Sequence, residues 1–284
     1  MDGILIVNKP KDLTSHDVVA KVKKLTNEKV GHTGTLDPMA TGVLPLLLGK
    51  GTKLSKYLIE HDKVYEATLH LGMKTDTADG EGRVVEKEEV NKDNLKKENV
   101  VEVLNSFLGK QKQIPPIYSA IKVKGKKLYE YARENKQVEI KPREIEIYAI
   151  KLLAICKEDI CFMVHCSKGT YIRTLCEDIA TKLGTIGYMK ALNRIQVGKF
   201  TLKQAISLQE IETNIQNKNF GGNYFISIEK FFENLPEMQL DDHKLALLLN
   251  GVSLTIKKED GLYQIKDKTG KWVGVGTIKN SLLK

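Results

Sequence analysis

Cysteine is scarce in this sequence, and what there is of it is badly spaced for a metal. Four occur in 284 residues, at Cys156, Cys161, Cys166 and Cys176, with no Cys-x-x-Cys pair among them. Structural zinc sites depend on such short knuckles. Residues 156–166 read instead as two strands and a turn, which makes reduced core thiols the expectation. The six histidines form no His-Glu-x-x-His or similar ligand pattern, and no Walker loop or strand-linked Gly-x-Gly-x-x-Gly is present. No metal and no nucleotide cofactor is therefore expected. Long apolar runs are missing too: none approaches the roughly 20 residues of a membrane span. The opening Met1-Asp2-Gly3 has no basic n-region, so the expectation is a cytoplasmic protein with no membrane partner. Internal repeats and low-complexity tracts are absent.

What is present begins with charge. Lys and Arg number 45 against 36 Asp and Glu, a formal charge of +9, and a field of that sign favours a polyanionic partner. With 41% apolar residues the chain can bury a full core, as one large domain or a large one with a small companion. The densest local signal is Gly31-His32-Thr33-Gly34-Thr35-Leu36-Asp37-Pro38-Met39-Ala40-Thr41-Gly42, where three glycines, three threonines and a proline surround a single carboxylate. Glycine permits unusual φ and close backbone approach, and Pro38 confines Asp37 to extended geometry. Such a stretch is built to hold Asp37 in one direction. A lone Asp-Pro more often means a capped turn, but this density of special backbone points to function.

Hydrophobic period places the remaining elements. Residues 4–7 read as a strand, and Ser15 or Asp17 caps a helix with Val18, Val19, Val22 and Leu25 at helical spacing. Residues 44–48 read as a buried strand, and Thr52 opens a helix carrying Leu54, Tyr57, Leu58 and His61. From Lys63 to Leu71 the pattern alternates, with Tyr65, Ala67, Leu69 and Leu71 on one face. Residues 86–99 form a solvated stretch leading into a helix with Val100, Val103, Leu104 and Phe107. Strands dominate residues 143–167. Thr174-Leu175-Cys176-Glu177 is a capping-box pattern, so Tyr171 and Arg173 are expected to be still extended, side by side at a strand end. Lys110, Lys112, Tyr118, Lys122, Lys124, Lys126, Lys127, Tyr129, Tyr131 and Arg133 interleave bases with aromatics, which suits phosphates and exposed loop bases. A charged helix from 126 to 135 explains part of the same stretch. An Asn- and Gly-rich linker near 217–223 precedes a distinct C-terminal segment.

Five segments, in order, resemble the TruB-type tRNA pseudouridine synthases in their bacterial stand-alone form. They are Gly3 to Pro10 with Thr14-Ser15; the Asp37 stretch; Lys63-Val64-Tyr65-Glu66-Ala67 with Thr75-Asp76-Thr77-Ala78-Asp79-Gly80; Gln113 to Lys122; and Ser167 to Leu175. The resemblance implies an α+β fold with a mixed, largely antiparallel sheet flanked by helices. It implies a catalytic domain over 1–230, with an RNA-gripping insertion at about 110–140, and a short PUA-like β domain over 235–284.

The activity implied is isomerisation of the T-loop uridine of tRNA (position 55) to pseudouridine, by a monomer without guide RNA or cofactor. Breaking N1–C1′ and forming C5–C1′ neither oxidises nor hydrolyses anything, and calls for a nucleophile or charge stabiliser. The resemblance gives that role to Asp37, with Arg173 as its bidentate partner and Tyr65 against the flipped uracil. Read alone, Tyr65 is equally an ordinary half-buried strand tyrosine. Tyr171 and Leu192 are implied as pocket walls, Lys9 as support for the floor, and His32 as the group placed where the flipped nucleotide leaves the loop. Lys122, Lys124, Lys126 and Lys127 are implied RNA contacts. A uridine inside a folded loop must be extruded to be reached. The rival readings are a synthase for another RNA and a non-catalytic RNA-binding protein of the same fold.

Overall fold

The computed structural model describes residues 1–134, 136–217 and 221–284. Among these, ten strands form one sheet: β1 (Gly3–Lys9), β2 (Val30–His32), β3 (Thr41–Leu48), β4 (Lys63–Leu71), β5 (Gly109–Gln113), β6 (Arg143–Cys156), β7 (Asp159–Cys166), β8 (Gly187–Val197), β9 (Phe200–Thr201) and β10 (Phe225–Ser227). Their order is β10-β1-β3-β8-β4-β7-β6-β5, with β2 on β3 and β9 on β8. All pairings are antiparallel except β3 with β8, which run parallel over Thr41 and Gly42 against Asn193 and Arg194. The implied α+β, largely antiparallel architecture is what forms.

That parallel junction positions the site. Arg194 faces Gly42 on β3 and Tyr65 on β4, so one row across three strands reads Gly42, Arg194, Tyr65. The loop between β2 and β3 carries Asp37 and ends at this row. Leu36, Met39 and Ala40 are buried in the largest core, together with Tyr65, Ile172, Leu175 and Leu192. Each buried Leu or Met side chain contributes about 1.5–3 kcal/mol, so the loop is nailed down on both sides of Asp37 and its side chain is left to face outward. Gly42 is forced by packing: its φ is +106°, and an added Cβ would meet the Arg194 carbonyl oxygen at 2.2 Å.

The helices Ser15–Thr26 and Leu208–Gln216 cover the β1–β3 end, where Val18, Val22 and Ile211 pack on Leu5, Leu44 and Leu46. The helix Ile172–Lys182 packs on β8 and β4 through Ile172, Leu175 and Ile179. Beyond Leu235 a separate five-stranded sheet takes β11 (Glu237–Gln239), β12 (Leu254–Thr255), β13 (Gly261–Lys266), β14 (Trp272–Lys279) and β15 (Leu282–Leu283), with its own core of Met238, Leu240, Tyr263, Ile265, Ile278 and Leu283. Val275 packs against the core cluster of the main body that contains Ile4, Phe200 and Phe232.

Several local expectations are corrected. Thr14, not Ser15 or Asp17, caps the first helix: its hydroxyl accepts from the Asp17 N–H at 3.0 Å while the Asp17 carboxylate accepts from the Thr14 N–H. The helix expected from Thr52 is a 3-10 segment, Gly49–Leu54, followed by one α-turn, Ser55–Leu58, and His61 lies beyond it. Lys126 and Lys127 are in a short strand paired with Lys122 and Val123, so only Leu128–Arg133 of the expected charged helix is helical, and its last residue, Asn135, lies outside the described residues. Cys156 is exposed and Cys161 half-buried, so only Cys166 and Cys176 are core thiols. The 217–223 linker falls partly outside the described residues.

Gly42→Ala should therefore destabilise the fold by on the order of 1–3 kcal/mol, with β3 pushed off β8. Thermal denaturation checks this, and a melting temperature within about 1 °C of the parent's would show that the junction yields without strain.

Candidate active site

Asp37 is held from both sides by the segment from Lys9 to Ser15. On one side, the Leu36 N–H donates to Ser15 Oγ at 2.8 Å and the Ser15 hydroxyl donates back to the Leu36 carbonyl at 3.2 Å. On the other, the Pro38 carbonyl accepts from Lys9 Nζ at 3.0 Å and from the Asp12 N–H at 2.9 Å. Lys9 is fully buried and also donates to the carbonyls of Pro10 (2.8 Å) and Leu13 (2.5 Å), so its three N–H groups are all used. Burial pushes its pKa down to about 8. Because Thr14 takes the helix cap, Ser15 is free to grip the loop.

Arg173 meets the carboxylate side-on. Its Nε lies 3.2 Å from Asp37 Oδ2 and its Nη2 donates to Asp37 Oδ1 at 3.3 Å. The same guanidinium donates from Nη2 to the Tyr118 carbonyl (2.9 Å) and from Nη1 to the Thr77 carbonyl (3.3 Å), and Nη1 lies 3.7 Å from Asp79 Oδ2. Asp79 is buried, with Oδ1 accepting from Thr77 Oγ1 at 2.6 Å and the Glu81 N–H at 3.1 Å. Its loop is pinned to β8 by reciprocal bonds between Met189 and residues Ala78 and Gly80.

Arg173 is not extended beside Tyr171, as the capping-box pattern predicted. The helix starts at Ile172, Tyr171 is its N-cap residue, and Arg173 stands in its first turn. Gln113 is the cause: its side-chain amide donates to the Tyr171 carbonyl at 3.0 Å and accepts the Tyr171 N–H at 2.8 Å, ending the extended run early. Thr174 donates its hydroxyl to the Ile114 carbonyl.

The carboxylate opens on a cavity of about 850 Å³ bordered by His32, Tyr65, Tyr118, Tyr171, Leu192 and Arg194, among others. The Asp37 side chain is 31% exposed. Burial raises its pKa above the ordinary carboxylate value and Asp79 adds to this, while Arg173 and Lys9 oppose it. Tyr65 is raised by burial as well. His32 is pushed down by burial, and its Nδ1 accepts from the Gly34 N–H at 3.4 Å, which leaves Nε2 carrying the proton of the neutral ring.

The family model for the N-terminal domain of TruB family pseudouridylate synthases matches residues 22–172, and that for the tRNA pseudouridylate synthase B C-terminal domain matches residues 173–225. The chain belongs to the TruB family of pseudouridylate synthases. It is similar to the tRNA pseudouridine synthase B of Clostridium kluyveri, 44% identical over 99% of this chain and 96% of that protein. The synthase of the same name from Aquifex aeolicus is 40% identical over 100% of this chain and 98% of its own length. Among solved structures it resembles a chain of an H/ACA ribonucleoprotein bound to a substrate RNA containing 2′-deoxyuridine, with a TM-score of 0.67 and 27% identity, covering 97% of this chain and 77% of that one.

Within this TruB-family chain, Asp37, Tyr65, Arg173, His32, Tyr171 and Leu192 meet at one cavity. Lys9 does not border it; fully buried beneath Pro38, it braces the loop and is out of a substrate's reach. Lys122 and Lys124 are exposed on a hairpin beyond the cavity wall, whereas Lys126 pairs with Glu134 and Lys127 Nζ donates to Tyr129 Oη at 3.2 Å. Sequence reasoning gives Asp79, Ser15 and Gln113 no role in the site. Each lies inside a recognised motif, but nothing in local pattern tells Asp79 from Asp76 as the buried carboxylate.

Two outcomes follow from this electrostatics. Arg173→Lys keeps the charge but loses the fork, so pseudouridine formation in single turnover should fall by about a hundredfold or more; a near-parental rate would free Arg173 from the Asp37 partnership. Asp37 has a folded pKa above its unfolded value near 3.8, so ionising it favours the unfolded chain, and stability is lost as pH rises through the interval between the two. Asp37→Asn should then unfold at or above the parent's denaturant midpoint at pH 7, with the difference shrinking as pH falls towards 4. A variant less stable at pH 7 would contradict that sign.

Proposed function

We propose that this protein converts the T-loop uridine of tRNA (position 55) to pseudouridine, acting without guide RNA, metal or organic cofactor. The observation that carries the reading is the Asp37 carboxylate, gripped side-on by Arg173 and turned into a cavity beside Tyr65. The reaction exchanges an N1–C1′ bond for a C5–C1′ bond; the C5 proton leaves and N1 takes one up, so atoms and electrons balance without a co-reactant. Asp37 supplies the anionic nucleophile or stabiliser at the sugar and base, and the phenol of Tyr65 stands where an extruded uracil would stack.

Relatives that this chain matches over nearly their whole length are named tRNA pseudouridine synthase B, which supports tRNA as the substrate. The charge of +9 supports the same class of partner. In this reading residues 1–230 carry the chemistry and 235–284 form a PUA-like unit that adds RNA affinity through Lys257, Lys258, Lys266, Lys268 and Lys271. The protein works as a monomer in the cytoplasm.

Asp37→Asn decides the matter, because Asn keeps the volume and a carbonyl acceptor but not the anion. The variant should bind unmodified tRNA within about tenfold of the parent and release no tritium from tRNA labelled at uracil C5, since the loss falls on the transition state. Release by the variant would remove Asp37 from the chemistry. No release by the parent on any unmodified tRNA would favour a non-catalytic RNA-binding protein.

A further inference from the structure

One end of the cavity carries positive charge that the protein does not neutralise. Lys63 and Arg194 both border it and are 8% and 1% exposed. Among the described residues neither forms an ion pair, although buried cations are normally paired. The carboxylates around Lys63 are engaged elsewhere, Asp62 with His165 and Glu60 with Lys168, and Asp37 belongs to Arg173. Arg194 donates from Nε to the Val43 carbonyl at 2.8 Å and from Nη2 to the Gly34 carbonyl at 3.1 Å. Those bonds fix the guanidinium in place and leave its charge uncancelled. Lys63 donates to the His61 carbonyl, which uses one of its three N–H groups. Burial lowers the pKa of Lys63, and the neighbouring Arg194 lowers it further, so the two charges sense each other.

A second observation is independent of charge. Thr33 is 5% exposed and borders the same cavity, and its buried Oγ1 has no hydrogen-bond partner. Buried hydroxyls are nearly always satisfied, so an orphan of this kind marks a missing acceptor. His32, next to Thr33, borders the cavity too and keeps an Nε2–H donor. Two cations and a hydroxyl with no acceptor call for an anion with several oxygens. Lys63 leaves β4 on the same face as Tyr65, two residues away and hence roughly 6.6 Å along the strand. That is comparable to the span from a nucleoside to its own backbone phosphate.

We propose that Lys63, Arg194 and Thr33 form a phosphate subsite, which takes one backbone phosphate flanking the extruded uridine. The identity of the anion rests on the RNA-substrate reading above, whereas the subsite itself rests on the unneutralised charge and the orphaned hydroxyl. Lys63 and Thr33 make the contacts, and Arg194, held in the cavity wall by the Val43 and Gly34 carbonyls, supplies charge.

The test uses T-arm stem–loop RNAs in which single phosphates around the target uridine are replaced by neutral methylphosphonates, bound to the full-length parent, Lys63→Met and Thr33→Val. One linkage should cost the parent about tenfold in affinity. Lys63→Met should bind the unmodified RNA about tenfold more weakly and lose that penalty, and Thr33→Val should shrink it. A penalty of the same size in the parent and in both variants would overturn the subsite, as would the absence of any sensitive linkage in the parent. Should Lys63→Met fail to fold, the near-isosteric Thr33→Val decides alone. Product formation by the parent on the unmodified arm is measured separately: coupling without product would sink the proposed reaction and leave the subsite standing.

Discussion

Three separated stretches of chain converge on one guanidinium, which a fourth, the helix Ile172–Lys182, carries. From the first turn of that helix, Arg173 binds the Asp37 loop, the Thr77–Asp79 turn and the Tyr118 carbonyl. Two desolvated carboxylates face it, and without the cation between them Asp37 and Asp79 would repel each other in a medium that screens poorly. With it, one positive charge serves two negative ones, and Asp37 stays harder to ionise than a free carboxylate. The segment from Gln113 to Tyr118 is tied to the same centre twice, by Gln113 to the Tyr171 backbone and by the Tyr118 carbonyl to Arg173. Movement of this stretch on RNA would therefore be felt directly at the carboxylate.

Placement of the carboxylate is a separate problem from its charge, and backbone solves it. The two residues flanking Asp37 are bonded through their backbone by Ser15, Lys9 and the Asp12 N–H, none of which hydrogen-bonds the carboxylate itself. Burying an ammonium as Lys9 does is expensive unless every donor is met, and here three carbonyls meet all three. The outcome is a loop anchored through its backbone with the carboxylate left to Arg173 and the cavity, which is what orientation-dependent catalysis requires.

How legible this was in the sequence depended on the range of the interactions involved. β4 appears with the bounds that its alternation predicts, since period-two burial is a local property and Tyr65, Ala67, Leu69 and Leu71 carry it. The rigidity of residues 31–42 was equally readable from Gly, Thr and Pro. The start of the helix at Ile172 was not. The Thr174 to Glu177 capping pattern competes with a contact from Gln113, 58 residues away, and a local rule has no means of seeing it. Ser15 was misread for a related reason: two hydroxyls stand side by side at 14 and 15, and only the approach of Leu36 decides which one caps and which one clamps. The placement of the Asp79 turn likewise depends on its backbone bonds to Met189 on β8, far along the chain.

The charges that remain give the cavity a direction. At the Arg173 end one cation faces two carboxylates; at the Lys63–Arg194 end, among the described residues, neither of two cations forms an ion pair. A nucleotide undergoing glycosidic bond exchange has the complementary polarity, since positive charge develops towards C1′ as the N1 bond stretches and the backbone phosphate stays anionic throughout. Turned the other way, the phosphate would lie against Asp37 and Asp79, and the sugar would develop its charge beside two unpaired cations. Fixed charges in a poorly screening site reject that arrangement by more than any single hydrogen bond contributes. With the phosphate at the proposed subsite, the arrangement that selects this orientation would also act in the direction of the chemistry, with the negative end of the field where the transition state becomes positive.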